Sequence, residues 1–233
     1  MKPIITKLKL LLKIIIRKEF YVKPDVHLTS ERFGSDYGGW HLVTKYINQH
    51  SIVYSFGVGE DATFDTALID RFNLTVHAFD PTPKSINWVK NQDFPTNFVM
   101  HEYGIANFEG TVSFNPPTNP NHISHTLLER KSTEKDSIIV NVKTLRSAMS
   151  ELKHTKIDVL KLDIEGAEYD VITDIINSNI RPKQILVEFH HRFNNVGISK
   201  SKTAIKQLRS IGYSLYSISS SNEEFCFLAT PAE

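Results

Sequence analysis

From residue 51 to the C terminus, short apolar runs of strand length alternate with stretches of helical periodicity, and few folds accommodate such an order. Residues 51–56 read as a buried strand, and 63–72 as a helix that turns Phe64, Ala67, Leu68 and Ile69 inward. A second strand covers 75–79. Thr82 then makes an N-cap and Pro83 a first helical residue, so a helix carrying Ile86, Trp88 and Val89 follows. Residues 98–103 form a third strand, and 107–110 turn into 111–114 as an antiparallel excursion. The stretch 115–121 holds three prolines and three asparagines and reads as a loop. Further strands are expected at 138–142, 157–162 and 185–189, with helices at 145–152, 167–176 and 203–211. Gly212 ends the last helix, and 214–218 pairs with 225–229 as a terminal hairpin. The expected fold is α/β: a doubly wound, mostly parallel sheet with a C-terminal antiparallel hairpin and its sites at the carboxyl ends of the strands.

The first of those ends is the most informative. Gly57 to Ala62 satisfies the G-x-G-x-x-G/A pattern that lays a pyrophosphate on backbone N–H groups, but Glu60 and Asp61 occupy the middle of it. Two like charges about 4 Å apart repel by roughly 4 kcal/mol at an effective dielectric near 20, a large cost for a turn holding a diphosphate. A cofactor without phosphate and with a positive charge escapes that cost, and S-adenosylmethionine is such a molecule. Asp80 ends the second strand, where an acid accepts both ribose hydroxyls or complements the dipole of the next helix. An NAD-linked oxidoreductase is the competing class; it rests on Gly57, Gly59, Ala62 and Asp80 and is opposed by Glu60 and Asp61. A scaffold that keeps the fold without catalysis is the third.

The 233 residues, 40% hydrophobic, suffice for one domain. Residues 1–18 carry Lys2, Lys7, Lys9, Lys13, Arg17 and Lys18 and no acid, and taking these six from the 27 basic residues leaves 21 against 26 acids. So mildly acidic a body does not suit nucleic acid. Residues 1–22 are expected to form a basic amphipathic helix and 23–233 the domain. Segment 4–16 is too short and too charged to span a bilayer, and its lysines sit inside the apolar stretch rather than ahead of it, unlike a signal peptide. With Ile4, Leu8, Leu11, Leu12 and Ile15 on one face it suits either an anionic membrane surface or packing on protein. The single cysteine, Cys226, lies in an apolar run and excludes an internal disulfide, which fits a cytoplasmic protein, at most peripheral to the inner face of a membrane. Nothing in the sequence fixes an oligomeric state.

Four segments taken together resemble the FkbM family of SAM-dependent methyltransferases: Val53-Tyr54-Ser55-Phe56-Gly57-Val58-Gly59-Glu60-Asp61, Ala78-Phe79-Asp80-Pro81, Lys161-Leu162-Asp163-Ile164-Glu165-Gly166-Ala167-Glu168 and Val187-Glu188-Phe189-His190. The resemblance covers about residues 50 to 190. It implies a class I methyltransferase fold with a seven-stranded sheet and methylation of a hydroxyl on a sugar, glycan or other secondary metabolite. It also implies a cofactor site built from Phe56, Gly57, Gly59, Glu60, Asp61, Asp80 and Pro81, with Tyr103, Gly104, Ile105 and Ala106 bordering the adenine and Asp163 facing the methyl group or the tail ammonium.

Methyl transfer to a hydroxyl oxygen asks for alignment, exclusion of water and a group to take the proton. His190 is the expected base, with Glu188, two residues away on the same strand face, orienting it or gripping substrate. His191 is the reserve, and Glu165 a further substrate contact. Asp163, Glu188 and His190 admit a hard divalent cation without demanding one, so no metal is assigned. The loop with His122, Ser124 and His125 is expected to act as a lid or acceptor site. Glu168 reads as an acid complementing a helix dipole.

Overall fold

The computed structural model describes residues 12–16, 19–114, 137–193 and 196–230. An antiparallel hairpin of β1 (Glu31–Phe33) and β2 (Trp40–Leu42) comes first, with Phe33 opposite Trp40. Its strands of three residues are too short to show a period in the sequence. The main sheet contains β3 (Val53–Phe56), β4 (Val76–Phe79), β5 (Phe98–His101), β9 (Val159–Leu162), β10 (Gln184–Glu188), β11 (Tyr213–Ile218) and β12 (Glu224–Ala229). Its order is β11-β12-β10-β9-β3-β4-β5. Every pairing from β10 to β5 is parallel, and β12 runs antiparallel to both β10 and β11. The doubly wound sheet and the terminal hairpin are therefore as expected.

Helices α1 (Thr63–Phe72), α2 (Pro83–Lys90), α3 (Leu145–Glu151), α4 (Glu168–Asn177) and α5 (Ile198–Ser210) supply the connections. Thr82 caps α2 through its side chain, with Pro83 at the first position as the sequence indicates. One expectation is corrected. The third strand stops at His101, and residues 104–105 form a separate β6 (Gly104–Ile105) that joins β8 (Ile138–Lys143) and β7 (Gly110–Phe114) in a side sheet. The strand expected at 138–142 thus lies outside the main sheet.

Two apolar layers sandwich the sheet. One holds Tyr54, Phe56, Phe79, Leu160 and Val187, the other Val53, Ala78, Val159 and Leu186. Because both faces are covered, the parallel strands are largely apolar rather than alternating, broken at single residues such as Ser55, His77 and Lys161. Each fully buried valine, leucine or phenylalanine among them contributes on the order of 1.5–3 kcal/mol.

Before the hairpin, residues 12–15 are helical, and Leu12, Ile15 and Ile16 are all exposed. Glu19 and Phe20 are buried in the domain. Phe20 stacks on Phe225 and meets the edge of His191, while Glu19 accepts hydrogen bonds from His191 at 2.9 Å, from Asn222 at 2.9 Å and from Arg192. Ile4, Leu8 and Leu11 of the expected amphipathic face lie outside the described residues, as do His122, Ser124 and His125. Among the described residues, no helix is long and apolar enough to cross a membrane.

Candidate active site

The turns that follow β3, β4, β9 and β10 meet at the carboxyl edge of the sheet. Gly57, at a φ of +84°, occupies a backbone region that suits glycine. A Cβ there would lie 1.8 Å from the Asp163 carbonyl oxygen, so the turns after β3 and β9 touch through their backbones. Lys161, buried under this seam, donates from Nζ to the Gly57 carbonyl at 2.8 Å. Gly59, at +57°, is the opposite case: a Cβ would meet nothing within 4 Å, which leaves the open space a ligand cradle needs.

Asp80 is buried beside that space. Its Oδ2 accepts the Gly59 N–H at 3.0 Å, and its Oδ1 accepts the Thr82 N–H at 2.9 Å and the Thr82 hydroxyl at 2.6 Å. The expected two-oxygen grip on a ribose is therefore corrected: Oδ1 is filled, and Oδ2 keeps one acceptor direction. Phe56 is also corrected. Its ring is 1% exposed and stacked on Phe79 at 4.3 Å, and its carbonyl accepts the Asp163 N–H, so it belongs to the core and presents no surface to a ligand. Glu60 stands 3.6 Å from Lys84 Nζ. Asp61 turns toward α1, accepting from the Thr63 N–H and hydroxyl and from Ser35 Oγ. Burial alone would raise its pKa, but the Thr63 and Ser35 hydrogen bonds outweigh burial and lower it, so the carboxylate stays charged. Tyr103, Gly104, Ile105 and Ala106 are buried together, and a Cβ on Gly104 would come within 3.1 Å of Pro81 Cγ, so this border segment does reach the turn after β4.

The second half of the site surrounds His190. Its side chain is 8% exposed, and Nε2 lies 3.4 Å from Glu165 Oε2, 3.9 Å from Asp163 Oδ1 and 3.9 Å from Glu188 Oε1. The orienting partner is not Glu188, as expected, but Glu168 at the start of α4. Fully buried, Glu168 accepts the His190 N–H at 2.9 Å and faces the ring Nδ1 at 3.2 Å through Oε1, and accepts the Gly166 N–H at 2.8 Å through Oε2. Since a carboxylate only accepts, Nδ1 carries a hydrogen. Burial would lower the imidazole pKa, yet the charges of Glu168, Glu165 and Asp163 raise it well above 6.5. Glu188 is pushed up to about 9 by burial and by the charge of Asp163. The surrounding carboxylates therefore favour the protonated ring. That preference counts against the expected role of His190 as a free base. His191 points the other way, with its side chain wholly buried against Glu19, and cannot reach an acceptor in this cleft.

Three contributors escaped sequence reasoning. Lys161 left a signal, a lysine inside an otherwise apolar strand. Glu168 left only the ambiguous one of an acid in a first helical turn. Tyr37 left none: it stands 87% exposed on the β1–β2 loop, and partial burial, then the charges of Asp163, Glu188, Glu165 and Asp61, raise its phenol pKa.

The sheet order and the converging turns define a Rossmann-like fold of the class I methyltransferase kind. Residues 49–215 match the model of the methyltransferase FkbM domain, and the chain belongs to that family. It is 25% identical over 168 residues to a human protein described as probable methyltransferase-like protein 24, covering 71% of this chain and 40% of that one. A rat protein of the same description is 23% identical over 186 residues, 79% of this chain and 43% of the relative. The chain therefore spans less than half the length of these curated relatives. Among solved structures, the methyltransferase FkbM of Methylobacillus flagellatus aligns with a TM-score of 0.48 at 12% identity, over 78% of this chain and 44% of that one. A fibrillarin of Aeropyrum pernix with natively bound S-adenosyl-L-methionine aligns at 0.43 and 9%, over 79% and 68%. Family membership rests on the sequence match, not on these distant structural resemblances.

Proposed function

We propose that the protein is a SAM-dependent O-methyltransferase acting on a hydroxyl of a saccharide or other small polar metabolite. The observation that carries this reading is the open space at Gly59, whose N–H is held by Asp80, two residues after the Gly57 turn packed on Asp163, in a chain of the FkbM family. Gly57 and Gly59 would hold the cofactor through backbone, Asp80 Oδ2 would take one ribose hydroxyl, and residues 103–106 with Pro81 would border the adenine. When bound, the cofactor supplies a methyl group on a positively charged sulfur, a charge that the acids of this cleft favour. Glu60, Asp163 and Glu165 make the cleft unsuited to a pyrophosphate by the same repulsion.

Asp163, Glu188 and Glu165, whose side chains are 31%, 27% and 19% exposed, face the cleft and suit hydrogen bonding to hydroxyl groups of the acceptor. Asp163 and Glu165, both open to the cleft, are the groups placed to take the acceptor's proton. Calorimetric titration tests the reading. Wild type is expected to bind S-adenosylhomocysteine, and Gly59→Val, which fills the open space and places a branched residue at positive φ, to weaken it by more than about tenfold. Binding of NADH in place of either sulfur compound would overturn the proposal.

A further inference from the structure

We propose that Asp163, Glu165 and His190 form a divalent-cation site, with Glu188 as a fourth ligand, which holds the acceptor's hydroxyl groups. The inference rests on the methyltransferase reading for its use, though not for its geometry. Ligand atoms of Asp163, Glu165 and His190 all lie within 4.8 Å of one another. Two donors each about 2.1 Å from a shared ion stand roughly 3 Å apart at a right angle and about 4.2 Å apart across it. The separations of 3.4, 3.9 and 3.9 Å between His190 Nε2 and the three carboxylates fall inside that interval.

An independent observation concerns the ring itself. More than nine-tenths of the His190 side chain is buried, and its Nε2 is aimed at three carboxylates at 3.4 to 3.9 Å, longer than the roughly 2.7–2.9 Å of a charge-assisted hydrogen bond. The other nitrogen is spoken for. Glu168, outside the ligand set, holds Nδ1 and so fixes the ring with Nε2 toward the shared centre, the outer arrangement that metal-binding histidines generally show. The nearby Lys161 ammonium is turned to the Gly57 carbonyl rather than to these acids. Once the ion has displaced the protons held by Glu188 and by His190 Nε2, three carboxylates and one imidazole are hard to borderline donors, which fits Mn²⁺ or Mg²⁺. Such an ion takes six ligands, so at least two positions remain for the acceptor, and two adjacent positions match a vicinal diol of a sugar. The ion would lower the pKa of the bound hydroxyl. On transfer, the oxygen lone pair forms the new O–C bond, the C–S pair stays on sulfur, and the proton leaves to a cleft carboxylate.

The test uses the full chain, stripped with EDTA, and Mn²⁺ followed by the loss of its free electron-paramagnetic-resonance signal. One Mn²⁺ per chain is expected, with binding weakened more than about tenfold in Glu165→Gln and in His190→Gln and unaltered in Glu102→Gln, which lies outside the cluster. Near-ultraviolet circular dichroism of each variant shows that it is folded. Absence of stoichiometric binding, or binding that both variants retain, would overturn the site. Binding of S-adenosylhomocysteine by the EDTA-treated protein is measured in parallel. If it binds while Mn²⁺ does not, only the cation site fails; if Mn²⁺ binds and the thioether does not, only the methyltransferase reading fails.

Discussion

Two groups of histidines in this domain are shifted in opposite directions. His190 sits among carboxylates, whereas His77 on β4, His101 on β5 and His154 after α3 sit against one another and against aromatic rings. His77 Nδ1 is 3.1 Å from His101 Nε2, and His154 Nδ1 is 2.8 Å from the Tyr54 hydroxyl. Burial lowers the pKa of all three, that of His77 to about 4 with the help of its two neighbours. Burial opposes the charged ring at His190 as well, yet Glu168, Glu165 and Asp163 more than reverse it. Desolvation is common to both places, and the count of nearby carboxylates decides the outcome.

The largest effect expected from breaking this contrast belongs to Glu168→Gln. It keeps the shape but removes the charge nearest the ring, and should lower unfolding free energy by about 3 kcal/mol, as loss of one partner of a buried pair does. Methyl transfer should fall by roughly 100-fold, the upper range for a residue that orients a functional histidine. Urea denaturation and a radiolabelled-methyl assay measure the two, and NMR of the imidazole should show the His190 midpoint moving down. A midpoint that stays high would show that Glu168 is not the controlling charge.

The next effect is a difference of sign with pH. Between pH 6.5 and about 4 the unfolded chain binds a proton that folded His77 refuses, so stability falls as pH falls through that window. The acid cluster acts from the other side. Folded Glu188 keeps a proton up to about pH 9 that the unfolded chain releases near 4.5, and His190 also holds its proton above 6.5, so stability falls as pH rises. In thermal melts against pH, His77→Phe is expected to flatten the acid limb and Glu188→Gln the alkaline one. If either variant flattened the opposite limb, the assignment of the two groups would be reversed. The smallest effect should come from Tyr54→Phe, which deletes the hydrogen bond to His154 at a cost of about 1 kcal/mol in denaturant unfolding.

Most of the sheet was legible because parallel strands covered on both faces are largely apolar runs, and the helices between them carry capping signals such as Thr82-Pro83. The side sheet was not, since nothing in the run 138–142 says which partner it pairs with; that depends on β6 and β7, brought to it by the fold. In the site, Gly57, Asp80 and Asp163 were legible as strand-end residues, but their bonding was not. Thr82 fills one oxygen of Asp80, and the Phe56 ring turns into the core, both consequences of packing rather than spacing. The partner of His190 was misassigned for the same reason. Glu188 is two residues away in the chain, while Glu168, 22 away, is the one whose carboxylate touches the ring.

Glu19 has a reach beyond its own hydrogen bonds. Its carboxylate clasps His191 and Arg192, the two residues directly after His190, and Phe20 presses on the same turn from below. The placement of the imidazole is therefore inherited in part from the opposite extremity of the chain, and whatever tugs on the leading segment is felt in the cleft. An amino-terminal deletion that stops short of Glu19 spares this tether, and one that takes it strips His191 of its carboxylate and leaves Arg192 to Glu223 alone.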